Sequence, residues 1–273
     1  MSEFVSFNTL MQCAQTNAQK YQNSNPFPHI VFDNFFNETD LQAVLDEFPD
    51  EGAKWPIEWQ LKDEIKSLSR GEEMFGHKSI NFFRFLNSEP FIFFLEKITG
   101  ISNLIPDPHF TGGGFHKIKR GGYLKIHADF NKHPKTKLDR RLNVLVYLNK
   151  NWNEEYGGHF ELWNEDMSAS VEKILPLFNR LVIFSTTSKS YHGHPEPLNC
   201  PENMTRKSIA MYYYTNGRPS EEIVVGIEDH DTIFKPRNNE RYNDQFKENK
   251  IKKFAKLFIP PILLKLKPKK KSR

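Results

Sequence analysis

Residues 105–218 predict a mainly β fold, a jelly roll with flanking helices, on three observations. From about Thr111 the chain breaks into eight short runs rich in β-branched and aromatic residues, at 114–119, 122–128, 141–149, 158–163, 169–175, 180–185, 190–193 and 206–215, with Gly, Asn and Pro between them. The core-forming helical runs gather before the strands, so these helices are expected to pack on one outer face of the strands. Finally, 24 of the 273 residues are Phe, which favours a bulky, sheet-rich core.

The upstream elements follow from local chemistry. Leu10, Met11, Ala14, Ala18 and Tyr21 fall at helical spacing and predict a helix over 7–21. Residues 28–36 read as a strand. Asn37-Glu38-Thr39-Asp40 is a capping sequence ahead of Leu41, Val44, Leu45 and Phe48, again at helical spacing. Ser88-Glu89-Pro90 opens another helix with Phe91, Phe94, Leu95 and Ile98 on one face, and Gly100 closes it. Past Arg218 the chain turns polar, and 235–249 reads as loop or exposed helix.

Charge divides the chain. The formal net charge is +4, but residues 250–273 hold ten Lys/Arg and no Asp or Glu. The remainder keeps 28 basic and 34 acidic residues, so it is a mildly acidic body, and nucleic acid is not the expected partner. In the tail, Ile251, Phe254, Leu257 and Phe258 form an apolar stripe among lysines, interrupted by Pro260-Pro261. Such a segment suits an anionic membrane surface, or docking on the body. No run of 18 apolar residues occurs, the start of the chain lacks the pattern of a secretory signal, and Cys13 and Cys200 make no motif. The expected setting is cytoplasmic, peripheral at the membrane if the tail binds there.

Chemistry enters at His127-Ala128-Asp129. Side chains two apart on a strand face the same side, so an imidazole and a carboxylate point at one spot. A further ligand must come from a distant strand. Ser190-Tyr191-His192-Gly193-His194 offers two candidates, the first lying 63 residues after Asp129. Two His and one carboxylate with open positions are the ligand set of a non-haem Fe(II) oxygenase. Arg206-Lys207-Ser208 places Arg206 and Ser208 on one strand face, a fork suited to a carboxylate, and Tyr147 on a neighbouring strand is within reach of the same anion. A His-x-Asp tripeptide is common by chance; order and spacing give this one its weight. Of the other histidines, His159 after two glycines reads as structural. His29, His77, His109, His133 and His230 read as ordinary. Arg140 and Arg141 read either as pocket-mouth residues or as a solvated pair, and Tyr212-Tyr213-Tyr214 as packing.

The sequence of motifs Gly121-Gly122-Tyr123, His127-Ala128-Asp129, Val146-Tyr147-Leu148-Asn149-Lys150-Asn151-Trp152, Gly157-Gly158-His159-Phe160-Glu161-Leu162, Asn179-Arg180-Leu181-Val182-Ile183-Phe184, Tyr191-His192-Gly193 and Arg206-Lys207-Ser208-Ile209-Ala210 resembles the Fe(II)/2-oxoglutarate-dependent dioxygenases of the prolyl 4-hydroxylase-like type. The resemblance covers about residues 105–216 and the strand at 28–36. It implies a double-stranded β-helix, a cupin-like jelly roll closing over the metal. It assigns His127, Asp129 and His192, rather than His194, to iron, and Arg206, Tyr147 and Ser208 to 2-oxoglutarate. It implies O2 as the other cosubstrate, ascorbate as a reductant, and succinate and CO2 as products. Relatives often carry a tyrosine about ten residues before the first metal-binding His; here the region reads Phe115-His116-Lys117-Ile118, and His116 is the substitute on offer. Asp129 separates the chain from halogenating relatives, and Tyr212 stands where nucleic-acid demethylating relatives carry a second arginine.

The resulting plan is a support region over 1–104, the oxygenase core over 105–218, an extension over 219–249 and the basic tail over 250–273. The expected activity is hydroxylation of a prolyl or other peptidyl side chain. The alternatives are hydroxylation of a carbohydrate or lipid-linked sugar at the membrane face, and a non-catalytic jelly-roll binding protein.

Overall fold

The computed structural model describes residues 4–50 and 52–237. The basic tail with its apolar stripe, and the part of the extension from 238 on, lie outside the described residues. Among the described residues no helix is long and apolar enough to cross a membrane.

Four helices precede the main strands. In α1 (Phe7–Gln22) the Ser6 side chain accepts from the Thr9 N–H, satisfying one free amide of the first turn, and Leu10, Ala14 and Tyr21 are buried. The Tyr21 hydroxyl meets Ser185 Oγ at 2.7 Å, tying the helix to the sheet. After β1 (His29–Phe32), Asn37 caps α2 (Glu38–Asp46). The hairpin β2 (Ile57–Gln60) and β3 (Ile65–Leu68) leads to α3 (His77–Leu86). α4 (Glu89–Thr99) carries Pro in its first turn and ends at Gly100, whose φ of +77° is the left-handed conformation that favours glycine.

The hairpin and α3 are additions to the elements read from sequence. β2 and β3 carry Glu58, Gln60, Lys66 and Ser67 and so lack apolar alternation; they sit at the edge of a sheet. The residue at the N-cap of α3 is Gly76, which has no side chain to cap with. The carboxylate of Glu47, 31 residues upstream, accepts from the Lys78 N–H at 2.9 Å and, through its other oxygen, from the Ser79 N–H at 2.7 Å. A cap donated from the end of another helix leaves no local signature.

The strands that follow are β4 (Ile105–Pro106), β5 (Gly114–Lys119), β6 (Leu124–Ala128), β7 (Asp139–Tyr147), β8 (Phe160–Trp163), β9 (Ser170–Ile174), β10 (Arg180–Ser185), β11 (His192–His194), β12 (Thr205–Thr215) and β13 (Ile233–Phe234). All eight predicted strands are present, those at 114–119 and 180–185 with the expected ends and the others with shifted ones, and the run at 28–36 shortens to β1. They form two antiparallel sheets, a larger one ordered β1-β10-β7-β12-β5-β3-β2 with β4 beside β12, and a smaller one ordered β13-β6-β11-β8-β9. This is the predicted jelly roll.

Strand alternation separates core from pocket. Leu142, Val144 and Val146 of β7, Leu181 and Ile183 of β10, and Ile209, Met211 and Tyr213 of β12 join the helices in one apolar cluster. The helices therefore cover the outer face of the larger sheet. The intervening residues Asn143, Leu145, Phe184, Arg206, Ser208 and Tyr212 line a pocket between the sheets. The abundant Phe is used largely at this helix–sheet junction rather than inside the sheets. Phe83 is fully buried, stacked on Phe75 at 4.0 Å and edge-on to Phe110 and Phe115, both at 5.4 Å. Phe83→Ala is expected to cost about 3–5 kcal/mol through lost burial and the cavity left behind. The check is the denaturant midpoint, with an unchanged m-value.

Candidate active site

β6 and β11 are neighbours in the smaller sheet, with His127 directly opposite His192. Asp129 follows the last residue of β6. One ligand atom from each of His127, Asp129 and His192 lies within 4.8 Å of the others. His127 Nδ1 donates to the Lys125 carbonyl at 2.8 Å, and His192 Nδ1 to the Ser190 carbonyl at 2.9 Å. In a neutral ring this leaves each Nε2 with a free lone pair. Both Nε2 atoms face the Asp129 carboxylate, His127 at 3.5 Å and His192 at 3.3 Å. Burial and the nearby His192 push the His127 pKa down, which keeps that ring neutral.

Asp129 is held from behind. Its Oδ2 accepts from Asn143 Nδ2 at 2.7 Å and from the Arg140 guanidinium at 3.0 Å. Arg140 also donates twice to Asn143 Oδ1 and lies between two rings, 3.5 Å from the Tyr212 centroid and 4.4 Å from that of Phe130. Burial opposes the charge on Asp129, yet Arg140 and the two imidazoles together hold its pKa well below the usual carboxylate range. The set is thus one fixed anion beside two imidazoles, the donor chemistry that suits a divalent transition metal.

The opposite wall is cationic. Arg206 on β12 is 4% exposed; Nε donates to the Gly158 carbonyl at 2.9 Å and a terminal nitrogen to the Tyr147 hydroxyl at 3.3 Å. Among the described residues no carboxylate pairs with it. A buried guanidinium costs several kcal/mol unless an anion meets it, which suits this wall to an anionic ligand. Ser208 lines the same pocket and stands opposite Tyr147 in the ladder. Gly158 has φ +73°, and an added Cβ would sit 3.0 Å from Arg206 Cδ and 2.6 Å from Leu198 Cδ2. Gly158→Ala is expected to displace the guanidinium and weaken binding of a dicarboxylate about tenfold or more, with metal affinity retained. Titration of both ligands in the variant checks it.

Other residues are sorted by the geometry. His116 and His194 both line the pocket. His116 Nε2 lies 2.9 Å from the Gly112 carbonyl, and burial with Lys66 nearby pushes its pKa down to about 3. His159 does not line it and contacts Glu154 at 2.6 Å. The solvated-pair reading of Arg140 and Arg141 is overturned. Both are buried, Arg140 against Asp129 and Arg141 against Glu222 at 2.8 Å. The tyrosine run does pack, but Tyr212 also faces the pocket and stacks on Arg140. Asn143 carried no sequence signal beyond its position; it shares the inward face of β7 with Leu145 and Tyr147, at the spacing of two that marks one face of a strand. Lys66, also in the lining, belongs to the hairpin the sequence did not show.

The profile of the family described as the 2OG-Fe(II) oxygenase superfamily matches residues 113–214, the span that carries His127, Asp129, His192 and Arg206. This domain belongs to the 2OG-Fe(II) oxygenase superfamily. The oxygenase domain sits in a chain 26% identical over 197 residues to mouse prolyl 3-hydroxylase OGFOD1, a match covering 70% of the chain and 33% of that relative. The chain thus aligns with about a third of that relative's length. Among solved structures it is similar to a Trichoplax adhaerens prolyl hydroxylase, in complex with a hypoxia inducible factor peptide fragment (TM-score 0.53, 18% identity, covering 78% of this chain and 94% of that one). It is also similar to HygX of Streptomyces hygroscopicus with nickel and 2-oxoglutarate bound (TM-score 0.50, 11% identity, covering 80% and 97%). At these identities the structures establish the fold, a double-stranded β-helix. The superfamily implies Fe(II), 2-oxoglutarate and O2, and the donor set of the oxygenase domain fits them, with two imidazoles and a carboxylate for the metal and, for a dicarboxylate, a guanidinium that no carboxylate of the described residues pairs.

Proposed function

We propose that the chain is an Fe(II)- and 2-oxoglutarate-dependent hydroxylase acting on a prolyl or other peptidyl side chain. The observation that carries this reading is the pairing of a converged His127, Asp129 and His192 with a buried, unpaired Arg206 in one pocket. When bound, the metal would supply oxidation of an unactivated C–H by O2, one oxygen atom going to the substrate and the other to succinate as 2-oxoglutarate loses CO2. The protein's own residues bind and orient. His127 and His192 present Nε2, fixed by the carbonyls behind them. Arg140 and Asn143 hold Asp129 ionised. Arg206 and the Tyr147 hydroxyl take the distal carboxylate of 2-oxoglutarate, with Ser208 beside them. Phe160 and Phe184 wall the pocket and restrict water. A peptide as substrate rests on the resemblance to prolyl hydroxylases. Ascorbate is the reductant that keeps iron ferrous between cycles.

The test is succinate release over a panel of proline-containing peptides with Fe(II), 2-oxoglutarate and ascorbate. Succinate formation that requires both metal and 2-oxoglutarate, with a mass gain of one oxygen on a peptide, is expected. Tight binding of both without turnover on any peptide or extract fraction would instead favour a binding protein. The tail is a separate proposal, an anchor to anionic membrane surface. Deleting 250–273 is expected to abolish binding to anionic vesicles and to leave succinate release intact.

A further inference from the structure

His194 is 3% exposed, and neither of its ring nitrogens has a hydrogen-bond partner among the described residues. Buried polar atoms are almost always satisfied, and an unsatisfied one raises the free energy of the folded state. An imidazole left this way in a pocket wall needs an explanation that the protein alone does not supply.

The backbone is arranged to put it there. Gly193 separates His192 from His194, and a Cβ at Gly193 would meet the Leu124 and Lys125 carbonyl oxygens at 2.7 and 2.8 Å. Only glycine lets β11 lie so close to β6. The ladder also slips by one residue at this point: His192 pairs with His127, but His194 pairs with Leu124 rather than Lys125. Close approach and slip together leave His194 lining the pocket beside His192, along with Arg206 and Ser208 of the facing sheet. The side chain thus shares one pocket lining with the metal ligands and the carboxylate-binding arginine. A small ligand seated between Arg206 and the metal ligands would meet this imidazole.

We propose that His194 is a positioning residue for the cosubstrate, its imidazole hydrogen-bonding a polar group of 2-oxoglutarate bound between the metal ligands and Arg206. The assignment rests on the oxygenase reading above. In either tautomer the ring offers one donor and one acceptor, so it can engage a carboxylate or keto oxygen directly. It adds a lateral contact that neither Arg206 nor the metal ligands provide.

The experiment is calorimetric titration of 2-oxoglutarate into the full chain loaded with Mn(II). His194→Leu is expected to weaken 2-oxoglutarate about 10–100-fold, the loss of one hydrogen bond to a charged group. Mn(II) affinity should change less than about twofold, a hydrogen-bonding role being separate from metal ligation. His194→Gln, which keeps a donor and an acceptor, should recover much of that loss. The apo melting temperature of His194→Leu should not fall, because the substitution removes an unsatisfied polar group. In turnover the 2-oxoglutarate KM should rise more than kcat falls. Unchanged 2-oxoglutarate affinity in His194→Leu overturns the proposal, and a parallel loss of Mn(II) overturns it in favour of metal ligation. If the unaltered chain takes up Mn(II) but no 2-oxoglutarate, the oxygenase reading itself fails, a result distinct from either.

Discussion

Asp129→Ala is expected to abolish succinate release and to weaken divalent metal binding by at least about 100-fold. Loss of residues that merely orient metal ligands costs 10–100-fold, and Asp129 is the anionic member of the set itself. Two imidazoles remain at the site, and the negative charge that matches a divalent cation is gone. The substitution also strands Arg140, a buried guanidinium that keeps only Asn143 and two aromatic faces. Breaking a buried pair by removing one partner costs about 3–5 kcal/mol, so part of the activity loss could reflect unfolding. Asp129→Asn separates the two effects. It keeps an oxygen to accept from Arg140 and Asn143 while losing the charge. Asn at this position should therefore melt close to the unaltered protein yet bind Mn(II) at least about tenfold more weakly. Calorimetry for metal and a thermal melt on the same samples check both. Full succinate release by folded Asp129→Ala would overturn the oxygenase assignment.

The behaviour of Asp129 also marks how far the sequence could be read. The convergence of His127, Asp129 and His192 was legible because strand geometry is periodic: a His-x-Asp on one strand fixes a face, and a motif of known order on a second strand supplies the remaining group. The same periodicity exposed Arg206 and Ser208. The residues that hold Asp129 were not legible. Arg140 reaches it from the far end of β7 by threading between Phe130 and Tyr212, contacts made across 82 positions in sequence between its flanking rings. Asn143 is a polar residue in an apolar strand, a signal with several explanations until its neighbour is seen. In the fold, elements with local caps, such as α1 after Ser6 and α4 between Pro90 and Gly100, were read within a residue or two. α3 was missed because Glu47 caps it from another helix. The β2–β3 hairpin was missed because an edge strand can be polar. Where burial or capping is settled by distant parts of the chain, local pattern carries no trace of it.

Arg206→Met is expected to raise the 2-oxoglutarate KM by two to three orders of magnitude and to leave Mn(II) affinity nearly unchanged. The size follows from the environment. Truncating one partner of a buried, hydrogen-bonded charge pair costs about 2–5 kcal/mol, each 1.4 kcal/mol being tenfold in affinity. Here the ligand's carboxylate would lose the guanidinium that meets it while still being drawn out of water. Burial already works against the guanidinium charge, lowering the Arg206 pKa from its ordinary value, although the group remains protonated throughout the physiological range. Without ligand the charge is therefore a burden on the fold. A methionine of similar length removes that burden, so the apo variant should be no less stable and may be compared directly by melting temperature. The ligand-bound forms should diverge the other way. In the unaltered protein, saturating 2-oxoglutarate raises the melting temperature because it binds only the folded state; in Arg206→Met at the same concentration the shift should be lost. Arg206→Lys should fall between, since an ammonium keeps the charge but cannot donate to the Gly158 carbonyl, the Tyr147 hydroxyl and a carboxylate in one plane. A methionine variant that binds 2-oxoglutarate as tightly as the parent would remove the anion from this wall altogether, and with it the orientation that runs from the metal ligands on β6 and β11 to the arginine on β12.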